Sequence, residues 1–357
     1  MPTIPVARLH ELVLTIVRAM GSREEEARDV ADHLLGANLA GHDSHGVGML
    51  PDYVRMLHAG LLVPNQELKP LRDAGAVLVL DAGRGFGQAV AKEAMRRGAG
   101  RAKELGAVVL ALRNSAHVGR VGTYGEQCAA MGLASIHFVN VGDHMPHQAP
   151  FGCGDARLGT NPFCVAMPDG KGGASLVLDM ATSAIAFGKA RVARNKGVPV
   201  PPDTVIDKHG RVTTDPTALV DLREGALKAF GAHKGSGLAI MCEMLGGALT
   251  GGLTMQPEHE QHHGIVNSML SILINPASMG DPAAIRHEVE AIGQWIKASP
   301  PAEGFEEILL PGDPERRAKA ARQAEGIPLD DKSLADILAA AESLGLPRSQ
   351  LDQTLGR

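Results

Sequence analysis

The chain has 357 residues, 44% hydrophobic and 21% charged, with a formal net charge of -5, a size that suits about two domains with a sizeable core. Its 40 acidic and 35 basic residues are interspersed without a basic block, which argues against nucleic acid or an anionic membrane as partner and leaves a small molecule. The longest apolar run, 237–255, contains Glu243 and several glycines and does not read as a membrane span, and the four cysteines, without a CxxC pair, read as free thiols of a cytoplasmic protein.

In chain order, Val6, Leu9, Val13, Ile16, Val17 and Met20 recur at helical spacing, broken by Arg8, His10, Glu11 and Arg18, which predicts an amphipathic helix and not a signal peptide. Ser22 with Glu25 reads as a capping box that starts a second helix, with Ala27, Val30, Ala31, Leu34 and Leu35 on one face and Gly41 at its end. A strand at 76–80, a helix near 88–104, a strand at 107–112, a helix near 121–131 and a strand at 133–139 follow. This alternation predicts an α/β architecture and, taken alone, a parallel sheet. Residues 145–173 read as loops around a strand, FCVAM, and 175–180 as another strand from which a helix over 181–197 departs. A proline-rich hinge at 198–203, a hairpin around 208–210, helical spacing over 234–250, a buried strand at 269–274, a further strand at 306–311 and a helical tail from Ser333 complete the reading.

The stretch GHDSHGVG (41–48) admits three readings: part of a metal site, a serine nucleophile with its base, or a loop that holds a cofactor. A nucleophile elbow needs a glycine two residues before Ser44, where His42 stands, and a strand where a helix precedes. His42, Asp43 and His45 could join Asp143, His144 and His147, or His259, His262 and His263, in a zinc site of a hydrolase, but none of these groups has HExxH spacing. Gly83, Gly85 and Gly87 follow a strand and precede a helix, yet the spacing is GxGxG and the next strand ends in Arg113 and Asn114 with no acid for a ribose, so a tight structural turn is the better reading. His117, at the end of a strand in a turn with Asn114, Ser115 and Gly119, sits where α/β proteins place reacting groups and suits proton transfer to or from a substrate oxygen; the alternative is a helix-capping histidine. Asp179 is an acid in an apolar strand, either capping a helix with the following ATS or partnering a functional histidine. GAHKGSG (231–237) offers a second anion site at a helix start.

The segments DSHGVGM, NSAHVGRVG, LGTNPFCV, LDMATSAIAFGKARVARNKGVPVPP, HKGSGLAIMCEMLGGALTGG and GIPLD together resemble the type-2 malate/L-lactate dehydrogenase family, over nearly the whole chain and in order. The resemblance implies an α/β protein whose cofactor domain is a non-Rossmann, mixed and largely antiparallel sheet. A second α/β domain would be formed by the N-terminal part and the C-terminal helices, with boundaries at 1–115 plus 315–357 and 116–314. It implies a homodimer, NAD or NADP as cofactor, no metal, and a 2-oxo or 2-hydroxy carboxylic acid as substrate, or a cyclic imino acid in a branch of the same family. Carried onto this chain, the catalytic histidine is His117, with Asp179 beside it as a catalytic candidate. The cofactor contacts are His45, Gly119, Arg120, Val121, Val177, Leu178, Asp179, Met180, Ala181, His233, Asn267, Gly312, Asp313, Pro314 and Glu315. Gly48 stands where many family members carry an arginine that would clamp a substrate carboxylate. Its absence implies a different or larger 2-oxo acid, aromatic in character, with Arg120 as a substitute cation.

Overall fold

The computed structural model describes residues 3–259 and 262–356. In chain order the strands are β1 (Thr3–Ile4), β2 (Lys69–Ala74), β3 (Val77–Asp81), β4 (Ala107–Ala116), β5 (Ala134–Gly142), β6 (Gln148–Ala149), β7 (Phe163–Pro168), β8 (Ala174–Met180), β9 (Val205–Ile206), β10 (Val212–Thr213), β11 (Ala226–Lys228), β12 (Val266–Ile274) and β13 (Ile327–Pro328). The helices are α1 (Val6–Ala19), α2 (Glu24–Leu39), α3 (Leu50–His58), α4 (Gly87–Leu105), α5 (Gly122–Ala130), α6 (Phe187–Lys196), α7 (Thr217–Val220), α8 (His233–Cys242), α9 (Pro282–Lys297), α10 (Asp313–Glu325), α11 (Asp331–Ser343) and α12 (Arg348–Leu355).

The main sheet has the order β2-β3-β4-β12-β5-β7-β8. Only β3 and β4 run parallel; every other neighbouring pair is antiparallel. The parallel sheet that the alternation alone predicts is therefore not what forms. The reason is β12, which arrives from far along the chain and lies antiparallel between β4 and β5, the two strands that a crossover helix would otherwise have placed side by side. Flanked on both edges and packed on its faces, β12 is buried along nearly its whole length, which is why VNSMLSILI carries no charge-bearing side chain.

Two large cores result. One joins α1, α2 and α3 to α11 and α12, with Leu9, Leu12, Ile16, Leu34, Leu50, Ile337 and Leu338 fully buried, and is closed by the short β1–β13 ladder. The other fills the space between the sheet and the helices α4 and α5, with Leu80, Met95, Leu110, Leu112 and Met269 at its centre. Because β4 is paired with β12 over almost its full length, the sheet is shared by residues on both sides of position 115. A smaller four-stranded sheet, β10-β9-β11-β6, contains the expected hairpin around 208–210.

Several local expectations change. Ser22 does not cap α2, which begins at Glu24 behind Arg23; its hydroxyl donates to Glu26 (2.6 Å), whose carboxylate also accepts from the Asn65 N–H. The strand expected at 306–311 does not form, because the Leu310 N–H goes to the Asp313 carboxylate (2.9 Å) and the Asp313 N–H returns to the Leu310 carbonyl, turning the chain into α10. The helix expected over 181–197 starts only at Phe187, and Thr182 does not cap it: the Thr182 hydroxyl and N–H both bind the Thr160 carbonyl. All four cysteines are free thiols, three of them buried. No helix of the described residues is long and apolar enough to cross a membrane.

Candidate active site

The turn that carries His117 is held from three sides. The Ala116 N–H donates to the Gly85 carbonyl and the Arg84 N–H to the Asn114 carbonyl, so the 82–87 turn is laced to the end of β4. Asn267 on β12 accepts from the Val118 N–H (2.9 Å) and gives its own amide proton to the Asn140 carbonyl (2.8 Å). Tyr124 on α5 donates to the Val118 carbonyl (2.5 Å). The glycine-rich turn thus has a structural purpose: a Cβ on Gly87 would lie 2.3 Å from the His117 carbonyl oxygen and 2.5 Å from that of Ala116. Gly87→Ala is accordingly expected to cost about 3 kcal/mol of stability, read by urea unfolding, with a larger fractional loss of turnover than of folded protein. Wild-type stability would show that the two segments move apart freely.

His117 itself is buried. Its Nδ1 lies 2.8 Å from the Tyr53 hydroxyl, which accepts a hydrogen bond from Gln88 Nε2 (2.7 Å); its Nε2 lies 3.3 Å from Nδ1 of His45, whose ring stacks on it at 5.4 Å. Desolvation, reinforced by the neighbouring rings of His45, His33 and His144, pushes the His117 pKa well down and keeps the ring neutral. Tyr53 and Gln88 are absent from the sequence reading. A tyrosine on the apolar face of a helix looks like core, but the chain contains only two tyrosines, and both reach this turn.

His33 fixes the next residues. Its Nε2 accepts from the Arg120 N–H (2.9 Å) and fills the place a Cβ on Gly119 would take, 2.3 Å away, which explains glycine at φ +73° there. Burial pushes the pKa of His33 down to about 3 and those of His45 and His137 down to about 4. In the unfolded chain these groups take up protons near 6.5, whereas the fold keeps them neutral until the pH is far lower. Their stabilisation is therefore complete above pH 6.5 and is lost as the pH falls from there toward about 4, at roughly 1.4 kcal/mol per pH unit for each histidine. Urea unfolding at pH 7.5 and at pH 5 reads this loss; equal midpoints would contradict it.

Arg120 and Asp179 form a buried pair at 3.5 Å, Arg120 also meeting Glu126 at 2.9 Å. Asp179 accepts from the Gly122 N–H (2.8 Å), so it caps α5 and not the helix that follows it in sequence. No hydrogen bond or ion pair joins it to His117. The expectation of Asp179 as the partner of a functional histidine is corrected: its partners are an arginine and a helix terminus. Desolvation raises its pKa, against the pull of Arg120. Arg120 is likewise not a spare cation for a substrate, since two carboxylates already face it, its Nε lying 3.5 Å from the Asp179 carboxylate without a hydrogen bond.

The expected cofactor segments converge on this pair. The Val177 N–H donates to the Pro311 carbonyl, bringing 177–181 against 312–315, and Glu315 at the start of α10 pairs with His42 at 3.1 Å. Asp313 is held ionised by Lys297 (2.7 Å), Arg316 and the Leu310 N–H. Val121 is buried in the sheet core. Leu178, Met180, Ala181 and Pro314 lie on the same segments. Two positions stand apart: His233, at the start of α8, meets only the edge of Phe151 (6.0 Å), and both ends of the Asn267 amide are spent within the protein. At Gly48 a Cβ would meet open space, so the missing arginine would have had room.

The histidines grouped in sequence as metal candidates are dispersed. His42 goes to Glu315, Asp43 to Arg322 and Asn38, His45 to His117, and Asp143 to Arg84 (3.2 Å) and the His262 N–H. Among the described residues no group of three His, Cys, Asp or Glu converges as a metal site requires. His144 and His147 instead pack ring to ring (4.8 Å), and His147 stacks on Phe187 (4.5 Å, 19°), a wall of aromatic rings whose inner member, His144, is felt by His117.

Comparison with known proteins gives the family. The profile of the Malate/L-lactate dehydrogenase family matches residues 4–338. Hydroxycarboxylate dehydrogenase B of Escherichia coli K12 is 49% identical over 345 residues, covering 96% of this chain and 94% of that protein. L-lactate dehydrogenase of Cupriavidus necator is 38% identical over 317 residues, covering 89% and 91%. A solved structure from E. coli, assigned as a malate/lactate dehydrogenase, superposes with a TM-score of 0.95 at 46% identity, covering 100% and 99%. The chain belongs to the malate/L-lactate dehydrogenase family.

Proposed function

We propose that the protein is an NAD- or NADP-dependent 2-hydroxycarboxylate dehydrogenase in which His117 moves the proton. The carrying observation is the burial of His117 with Tyr53 on Nδ1 and its Nε2 turned toward His45. In reduction of a 2-oxo acid, Nε2 delivers a proton to the oxygen as it gains charge; in oxidation of the 2-hydroxy acid the same nitrogen receives it. The residues present suit a dinucleotide through the glycine at positive φ at 312 and the start of α10 beside it. Gly119 to Val121, Val177 to Ala181 and Gly312 to Glu315 would hold it, with His45 beside its reactive end, and the bound nicotinamide supplies the hydride. The largely antiparallel sheet takes the place of a Rossmann fold. The cofactor unit is the one expected at 116–314, joined by β2–β4 of the same sheet, and the terminal helices of 1–115 and 315–357 form the wall that carries His45 and Tyr53.

The stacked rings of His147 and Phe187 support a larger, aromatic 2-oxo acid over a small one. The same reading includes a cytoplasmic homodimer, supported by the free thiols and by exposed Ile240, Met241 and Met244 along α8 and the turn after it. The test is an NADH and NADPH oxidation screen over pyruvate, oxaloacetate, phenylpyruvate, hydroxyphenylpyruvate and cyclic imino acids. Turnover of the oxo acids is the expected result; reduction of the cyclic imines alone would reassign the substrate, and no turnover on any of them would end the proposal.

A further inference from the structure

Gln88 sits in the first turn of α4, buried, with its carboxamide nitrogen on the Tyr53 hydroxyl (2.7 Å) and its Oε1 without any hydrogen-bond partner. A half-turn of the amide exchanges two atoms of equal size and again leaves one of them unpaired, so neither orientation satisfies the whole carboxamide. What the orientation does decide is the direction of the chain Gln88–Tyr53–His117. With the amide nitrogen toward Tyr53, the hydroxyl accepts from Gln88 and has its own proton left for His117, so Nδ1 is an acceptor and the neutral ring carries its proton on Nε2. With Oε1 toward Tyr53, the hydroxyl donates to Gln88 and accepts a proton from Nδ1–H.

Resting on the assignment of His117 as acid and base, we propose that Gln88 is a positioning residue for the proton transfer: its carboxamide turns over between donor and acceptor toward Tyr53 and so selects the working form of His117. Both working forms carry a proton on Nδ1. The base has Nδ1–H and a free Nε2; the acid has protons on both nitrogens. In either form the Tyr53 oxygen must accept from Nδ1–H, which strands its own hydroxyl proton in a buried site unless Gln88 accepts it. The other orientation holds the ring in the tautomer whose Nε2 already bears a proton and can accept none. On proton uptake from the 2-hydroxy acid, the substrate O–H bond breaks and Nε2–H forms as C2–H gives up its hydride to the acceptor that a bound nicotinamide would supply and the carbonyl forms, while Nδ1–H, Tyr53 and Gln88 keep their bonds. The remaining groups around the ring are His45 from the turn before α3, His33 from α2 and His144 after β5, all of which oppose a positive charge there; none of them touches Tyr53 oxygen.

The test compares kcat, KM and the pH profile of Gln88→Leu and Gln88→Glu with the wild type, using NADH or NADPH and the best 2-oxo acid of the screen. Gln88→Leu removes the acceptor and is expected to lower kcat about tenfold with KM within about twofold. Gln88→Glu, isosteric and accepting, is expected to restore at least part of that loss and to move the midpoint of the kcat profile upward by about one pH unit. A Gln88→Leu enzyme with wild-type kcat and midpoint overturns the proposal, as does a pair of variants equally slow with raised KM and an unmoved midpoint, which is the behaviour of a packing residue. Should neither variant fold, NMR of wild-type protein labelled with 15N-histidine decides: His117 is expected as the Nε2–H tautomer when free and with Nδ1 protonated once NADH and oxamate are added. An Nδ1 proton present throughout overturns the switch. If His117→Ala keeps its activity, the assignment of His117 fails; if it is inactive and both Gln88 variants behave as wild type, only the role of Gln88 fails.

Discussion

His117→Ala is expected to lower kcat by roughly 10² to 10⁴ while leaving cofactor affinity, followed by quenching of protein fluorescence or by NADH emission, close to that of the wild type. The variant removes the ring nitrogen hydrogen-bonded to the buried Tyr53 hydroxyl, so a stability loss of about 1–2 kcal/mol should accompany it. The two effects separate cleanly: a loss of folded protein scales the activity of the whole preparation, whereas loss of the proton carrier lowers turnover per folded molecule. The deficit should be greatest where proton transfer limits the rate, and it should show as a smaller solvent isotope effect in the variant. Undiminished turnover per folded molecule would remove His117 from the mechanism.

Arg120→Met is expected to cost about 3–5 kcal/mol, the largest stability effect of any single change at the site. The guanidinium is 3% exposed and lies between Asp179 and Glu126; taking it away leaves the Asp179 carboxylate buried with only the Gly122 N–H to compensate. Asp179 would respond by holding its proton to higher pH, so the defect should shrink as the solution is acidified through the range where that carboxyl becomes neutral. A second change, Asp179→Asn, should return a good part of the loss, because the uncompensated charge and not the missing side-chain volume is the main cost. Urea unfolding of the wild type, both single variants and the double variant measures the coupling; strictly additive effects would show that the pair is not energetically linked.

How much of this was readable beforehand varied with the range of the interactions. Helices α1 and α2 and the strands β3, β4, β5 and β7 follow from local periodicity, because their buried faces repeat at about 3.6 or 2 residues, and β8 follows from its apolar run. Helix α9 is equally legible, with Asp281 and Pro282 at its start and Ile285, Val289, Ile292 and Ile296 at helical spacing, although it is absent from the sequence analysis; none of its residues is buried. The sheet direction was not legible, because it depends on which strand enters between β4 and β5, and β12 carries no local mark of its neighbours. At the site, His117 announced itself by standing at a strand end. Tyr53, Gln88 and His33 did not, because each lies inside a helix distant in sequence from the turn, which Tyr53 and His33 meet directly and Gln88 reaches through Tyr53. Asp179 was rightly singled out as costly to bury, but an isolated acid in a strand does not disclose whether its compensation is a histidine or the Arg120–Gly122 turn.

The placement of β12 also governs how the chain can fold. Until Val266–Ile274 is available, β4 and β5 each expose an unpaired apolar edge, and the first core lacks the helices from Asp331 onward that close it over α1 and α2. Contacts of such long sequence separation make for slow folding and leave open edges for association with other chains in the interval. During synthesis, then, the segment that carries His117 leaves the ribosome well before the strand that anchors it, and the chain reaches its native sheet only after most of its length has been made.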